Sequence, residues 1–488
     1  MLESIKKMLN NFEKYDIQYC HWKSNEHIDE ALEGDTDLDI LFSSNQRILL
    51  EKVLAESGLK RFRATPLMQY NSIEDYIGLD YKTGKIWHLH LHYRLSLGEK
   101  HLKGYTFPWD KDILERKELY DNKIYCSNPS DEFLLLLIRI SLKLRWRDFN
   151  RKICSDDICE IKWLREKTSN KDVINKSKLY LDEKTVREIK KILVTDIKRY
   201  RQFFKLQKSL RKNLKNFTGY TRKSSYFTRS KREIFWFYGG IQRRLGLNSV
   251  TPTRRISPKG GVVVVLLGCD GAGKSTTLKN IKKEFSKKID VYCEYLGSGD
   301  GRSMLIRKPM KLIAKKIGGK GVGTSIDDQT NGKRKKILKR NLYHLSRIIW
   351  AITLAYEKKK KYRKINKARN NGMLVLVDRY PQTEFSNFSD GPLLSRYLKK
   401  EGIMKKIALW ELTIYQEFYK NPPELLVKLV VPVELAIQRK PEMTRKEIEN
   451  KTNAIKQMNF NTNEIIIDTS KEMLETKKEV MSCIWDYI

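Results

Sequence analysis

Acidic residues are scarce in this chain: 59 Asp and Glu stand against 97 Lys and Arg, a formal net charge of +38. A charge so far from neutral argues against a cationic partner and favours nucleotides, nucleic acids or acidic membrane surfaces. Patterned cysteine is missing too. The seven cysteines lie at irregular positions, and the Cys154 and Cys159 pair matches no zinc or disulfide framework, so a reducing, cytoplasmic setting is expected. Long apolar runs are also lacking. The richest segment, residues 133–144, meets Arg139 after six apolar residues, whereas a membrane span needs roughly 18 to 20. Near the start, Leu2, Ile5, Leu9 and Phe12 share one helical face, but Glu3, Lys6 and Lys7 interrupt any apolar stretch, so no export signal is expected.

What is present is 488 residues, too many for one ordinary core. Two or three globular domains follow. The strongest local signal is residues 262–277, VVVVLLGCDGAGKSTT. Six apolar residues predict a strand buried on both faces, and Gly268, Gly273, Lys274 and Ser275 match the G-x-x-x-x-G-K-[ST] spacing of a phosphate-binding loop. Glycines let backbone N–H groups turn toward phosphate oxygens, the following helix adds its partial positive charge, and Lys274 supplies a cation for the β and γ phosphates. Ser275 is the expected Mg²⁺ ligand. Leu278, Ile281 and Phe285 form the apolar face of that helix.

Toward the N-terminus, residues 33–43 read EGDTDLDILFS, so Asp37 and Asp39 share one strand face and offer a site for Mg²⁺ or Mn²⁺. With the WKSN stretch at residues 22–25 before a helix, this pattern resembles the nucleotidyltransferase superfamily, over roughly the first 145 residues. The resemblance implies an α+β domain with metal-binding acidic residues. Two departures stand out. Lys23 and Ser24 replace the family's glycine-containing turn, and His90, in the strand IWHLHLHYRL of residues 86–95, matches the position of a third carboxylate. His88, His90 and His92 lie on one face at period two, either as a metal site with Asp37 and Asp39 or as a polar sheet face. Asp37, Asp39 and His90 are expected to converge at one end of a mixed sheet.

Residues 128–146 predict a helix capped by Ser130 that closes the first domain. Residues 184–259 then carry about 22 Lys and Arg against about three acids. Ile189, Ile192, Leu193, Ile197, Phe203, Phe204 and Leu210 recur at helical spacing, and Tyr220, Tyr226, Phe227, Phe235, Trp236, Phe237 and Tyr238 interleave with basic residues. This fits a solvated helical connector, or a segment that meets nucleic acid or an anionic membrane. Pro and Gly in residues 251–260 mark a linker. The expected division is 1–148, a nucleotidyltransferase-like domain; 149–257, a basic helical connector; and 258–488, a doubly wound parallel-sheet P-loop domain.

Within the last of these, strands are expected near residues 290–296, 373–380, 424–430 and 464–469, with a glycine-rich turn at 297–301 and a basic loop over 308–332. A long helix from Lys333 uses Leu342, Leu345, Ile349, Ile352 and Tyr356 as its apolar face and is expected to end, solvated, in the lysine run 358–361. Gly268 to Thr276, GCDGAGKST, and the strand-ending Asp378-Arg379-Tyr380 together resemble the thymidylate kinase family. That resemblance implies a kinase using ATP and Mg²⁺. It places Gly268, Gly271, Gly273, Lys274, Ser275 and Thr276 on ATP, and Ser275 and Asp378 on the metal. It puts Asp270 on the acceptor side, Arg379 on the acceptor's anion, and Arg439, Lys440 and Arg445 in a lid. Where the family carries Arg-Glu-Pro-Gly-Gly, this chain has LGSGD at 296–300, and PQTEFSNFSDGPLL follows Asp378-Arg379-Tyr380, so a rebuilt acceptor pocket is expected. The expected function is phosphoryl transfer to a nucleoside monophosphate or another phosphate or hydroxyl acceptor. Two alternatives stay open: an ATP-regulated protein binding nucleic acid or membrane, and a sugar or glycan kinase of surface polysaccharide assembly. A homodimer is a further expected partner state.

Overall fold

The structure, a computed structural model, describes residues 1–297, 333–386 and 390–488, with backbone alone for 333–344. The chain divides into two compact units, Met1–Leu247 with Thr253–Pro258, and Asn248–Pro252 with Lys259–Ile488.

The first unit is built on a mixed sheet whose strands are Tyr19–His21 (β1), Leu38–Phe42 (β2), Lys60–Ala64 (β3), Ile73–Asp80 (β4) and Lys85–His92 (β5). The short hairpin Leu95–Leu97 (β6) and Tyr105–Phe107 (β7) stands apart, while Glu118–Tyr120 (β8), Ile124–Cys126 (β9) and Arg255–Ile256 (β10) complete the sheet. Its order is β10-β3-β4-β5-β2-β1-β9-β8, with β2 parallel to β5 and β1 parallel to β9. Alternation sorts the two faces. Leu38, Ile40, Phe42, Leu89 and Leu91 pack under helices Glu3–Lys14 and Arg47–Glu56 in one core. Leu41, beside Asp39 on the other face, joins a second core centred on helix Pro129–Lys143. Gly78 lies opposite Trp87 in the β4–β5 pair, where a Cβ would meet the indole at 2.4 Å, so only glycine lets that buried ring cross the sheet.

Two sequence expectations are corrected here. The helix cap is Asn128, whose side chain accepts from the Ser130 N–H, with Pro129 at the first helical position. The stretch expected as a separate connector is split by burial. Helices Ser155–Lys167, Asn170–Tyr180, Glu183–Val194 and Phe204–Asn213 bury Leu164, Val173, Ile189, Leu193, Leu206 and Leu210 against Pro129–Lys143. Their apolar period is a core face, and they belong to the first unit.

The second unit carries Val262–Gly268 (β11), Val291–Tyr295 (β12), Leu374–Asp378 (β13), Leu425–Val430 (β14) and Asn463–Asp468 (β15) in the order β12-β13-β11-β14-β15, every neighbouring pair parallel. The central β11 is covered on both faces, which is why its run of valines does not alternate. Helix Lys274–Phe285 packs on Met473–Tyr487, and Lys333–Asn370 on Ile403–Lys420. The lysine run does not end that long helix. Lys358 is fully buried, donates to the Asp390 carbonyl at 3.1 Å and lies over the Tyr415 ring. Burial lowers its ammonium pKa to about 8. The 308–332 loop, most of the 297–301 turn, and residues 387–389 of the acceptor stretch lie outside the described residues.

Candidate functional site

In an open parallel sheet the loops beyond the C-terminal strand ends form the natural ligand crevice, and here they belong to β11 and its neighbour β13. The turn after β11 needs glycine for defined reasons. Gly271 has φ +88° and Gly273 φ +77°, the left-handed region, and a Cβ on Gly268 or Gly271 would meet the carbonyl oxygen of Leu429 at 2.8 Å or of Ala436 at 2.7 Å. Gly273 precedes helix Lys274–Phe285, so the first N–H groups of the helix open onto the turn. The Lys274 ammonium donates to the carbonyls of Gly268 and Cys269, both at 2.8 Å, which pins it across the loop. Burial lowers its pKa, and Arg379 adds to the shift.

Strand β13 delivers the next groups. Asp378 stands in register with Leu266 of β11, and Ser275 lies near enough to its carboxylate to work against the rise in its pKa. Burial raises its pKa against Lys274 and Arg379, and its buried Oδ1 has no partner among the described residues. A hydroxyl and a carboxylate with an open, buried oxygen are hard donors that fit Mg²⁺. Arg379 follows at φ +66°, a conformation held by its N–H bond to the Leu266 carbonyl. Its guanidinium reaches Asp270 at 3.1 Å and Asp390 at 3.5 Å. Although burial works to raise the Asp270 pKa, Lys451 and Arg379 hold it below the usual range. Arg439 donates to the carbonyls of Gly271 and Thr469 and so touches the loop, whereas Arg445 is exposed, paired with Glu434 and Glu449, and Lys440 pairs with Glu442. Lys451, Asp390 and Lys358 were missed. Lys451 lies only six residues beyond Arg445 on the helix Arg445–Gln457, and no spacing rule singles it out.

In the first unit Asp39, on β2, is level with His90 of β5, and their side chains meet at 2.8 Å. The same Asp39 oxygen accepts from Lys23 at 2.9 Å and lies 3.2 Å from His92. Asp37 is drawn instead to His88, at 3.1 Å. A third carboxylate, absent from the expected position, comes from β4. Asp75 is level with His90 but is held by His88 at 2.8 Å and Arg255 at 2.7 Å. In the sequence it stands in IEDYIGLD, where the adjacent Glu74 and Asp75 fall on opposite faces of the strand. Burial lowers His90 to about 4 and holds His92 well below its ordinary 6.5, so both imidazoles are neutral at pH 7. Asp39, His90 and His92 can present donor atoms within 4.8 Å of one another, but a cation there must compete with the Lys23 ammonium. Ser24 has φ +56°, so the turn keeps the left-handed residue that glycine supplies elsewhere. Beside it a cleft of ≈ 960 Å³ is lined by Trp22, Lys23, Lys103, Arg139 and Lys143.

No family model matches the chain. It is similar to the uncharacterized ATP-binding protein YghR of Escherichia coli strain K12, 27% identical over 233 residues, which span 46% of this chain and 87% of that protein. It is also similar to the uncharacterized ATP-binding protein YghS of the same strain, 28% identical over 228 residues, 46% of this chain and 89% of that protein. Among solved structures, thymidylate kinase from Candida albicans aligns at a TM-score of 0.29 and 14% identity over 47% of this chain and 92% of its own. Thymidylate kinase from Ehrlichia chaffeensis aligns at 0.24 and 14% over 46% and 98%.

Proposed function

We propose that the second unit is an ATP-dependent P-loop phosphotransferase that moves the γ-phosphoryl group to a small acceptor bearing a phosphate or a hydroxyl. The observation that carries this reading is the set of side chains gathered at the β11 and β13 strand ends: Lys274 pinned across the glycine turn, Asp378 beside Ser275, and Arg379 paired with Asp270. The E. coli relatives are named as ATP-binding proteins, which agrees with it. Phosphoryl transfer asks a protein mainly to position and to neutralise charge. The loop N–H groups and Lys274 would hold the β and γ phosphates. Ser275 and Asp378 would hold Mg²⁺, which supplies further charge neutralisation when bound. Arg439, at the loop's outer side, is the lid arginine in reach of that region.

On the acceptor side, Arg379 and Asp270 restrain each other. A phosphate acceptor would draw Arg379 away from the two aspartates, and a hydroxyl acceptor would use Asp270 to orient its proton. The test is incubation with γ-labelled ATP and separate pools of nucleoside monophosphates, sugars and glycans. Label is expected in one pool with the wild-type chain and in none with Arg379→Ala, which still binds ATP. Absence of transfer to every pool despite intact ATP binding overturns the transferase reading.

A further inference from the structure

Helix Arg222–Arg244 turns its polar side to the protein and its apolar side outward, the reverse of an ordinary surface helix. Arg232 is buried and donates to the carbonyls of Gln69, His101 and Leu102; Arg229 pairs with Glu99, Glu233 with Arg145, and Gln242 is buried as well. On the other side Tyr226, Phe227, Ile234, Phe237, Tyr238 and Ile241 are exposed, Ile234 by 70% and Phe237 by 63%. At about 100° per residue these six fall within an arc of about 120°, one stripe along a helix roughly 34 Å long. Arg222 and Lys223 stand at one end of the stripe, Arg244 at the other, and Lys231 on its edge, where its ammonium lies 4.3 Å over the Phe227 ring.

We propose that this face docks the chain on an anionic lipid bilayer surface, with the apolar stripe in the headgroup boundary and the basic ends against lipid phosphates. Charge and chemistry select this occupant. Nucleic acid would use aromatic rings for stacking but leaves Ile234 and Ile241 without a role. A second copy applying the same stripe would bring Arg222, Lys223 and Arg244 against their own counterparts, and the helix's single acid, Glu233, is already turned inward to Arg145. Among the described residues no helix is long and apolar enough to cross a membrane, so the contact is interfacial.

The test is flotation of the full chain with phosphatidylcholine vesicles, with and without a phosphatidylglycerol fraction, at physiological salt. Wild type is expected to float with the anionic vesicles. The double variants Phe237→Ser/Ile241→Ser and Lys223→Glu/Arg244→Glu are each expected to lose about tenfold or more in bound fraction, as is Phe227→Ser on a different turn. Unchanged melting and ATP binding show that these exposed substitutions leave the fold intact. The proposal is overturned if wild type ignores anionic vesicles, or if the Phe237→Ser/Ile241→Ser chain floats equally well. It is equally overturned if that substitution dissolves a dimer seen by light scattering, or abolishes retardation of a nucleic-acid probe, in place of vesicle binding.

Discussion

Two aspartates, one in each unit, sit on strands beside basic groups and differ in what the protein leaves them. Asp378 keeps a buried oxygen with no partner among the described residues. Asp39 gives one oxygen to Lys23, His90 and His92 together. A buried carboxylate oxygen left open is costly unless something outside the chain completes it, whereas a saturated one is complete in the fold. Asp378 thus has an oxygen open to a cation, as the proposed phosphotransfer site would need. Asp39 and Asp37, which resemble a metal site in sequence, are instead spent on lysine and histidine, although the same unit leaves Glu26 Oε2 and Glu160 Oε1 buried without partners among the described residues.

The largest effect that bears on this contrast is expected from Lys274→Ala. It should lower ATP turnover by on the order of 10²-fold or more, because the amine is the buried cation of the loop; undiminished phosphate release by the purified variant would refute the assignment. Next, Mg²⁺·ATP should stabilise the second unit selectively, by about 2.7 kcal/mol at a hundredfold excess over Kd. In calorimetry its transition moves and that of the first unit does not, and a shift of both would erase the distinction. Gly78→Ala reverses the pattern. Pressing a methyl into Trp87 should cost the first unit about 1–3 kcal/mol, read as a lower melting transition with ATP binding by the second unit unchanged.

A smaller, pH-dependent effect belongs to the first unit. Burial raises Glu132 to about 8 from an ordinary 4.5, against the two hydrogen bonds it accepts from Asn25. The folded state therefore holds a proton that the unfolded chain has released, and stability falls as pH rises from about 4.5 through about 8. Glu132→Gln should flatten that slope in thermal melts across this range; an unaltered slope would show that other groups set it. Smallest of all should be the response of the first unit to added Mn²⁺ or Zn²⁺, since Lys23 already neutralises Asp39. A clear stabilisation that Asp39→Ala removes would mean that a metal displaces the lysine.

Much of the second unit was legible because its signals are local. A buried valine run, a glycine turn and a helix start follow one another in residues 262–277, and Asp378-Arg379-Tyr380 ends the next strand of the sheet in register with it. In the first unit the two strands that carry Asp39 and His90 were also readable, since a period of two assigns faces without knowledge of partners, while their register makes the two residues level. Burial on helices proved harder. The lysine run 358–361 and the basic stretch beyond residue 184 carry the composition of solvated surface. Yet Lys358 is fully enclosed, and Arg232 is turned inward to backbone carbonyls while Phe237 and Ile241 are turned out.

The sequence by itself determined the phosphate-binding loop, the strands of the second unit and the shared face of Asp37, Asp39 and the three histidines, since each depends on residues close together in the chain. Only the tertiary structure decided which charges are satisfied. Lys451 reaches Asp270 across 181 positions and Arg255 reaches Asp75 across 180. The worth of an ion pair, and whether an aspartate is left open to a ligand, depends on such distant neighbours and on the burial they bring, which no local pattern encodes.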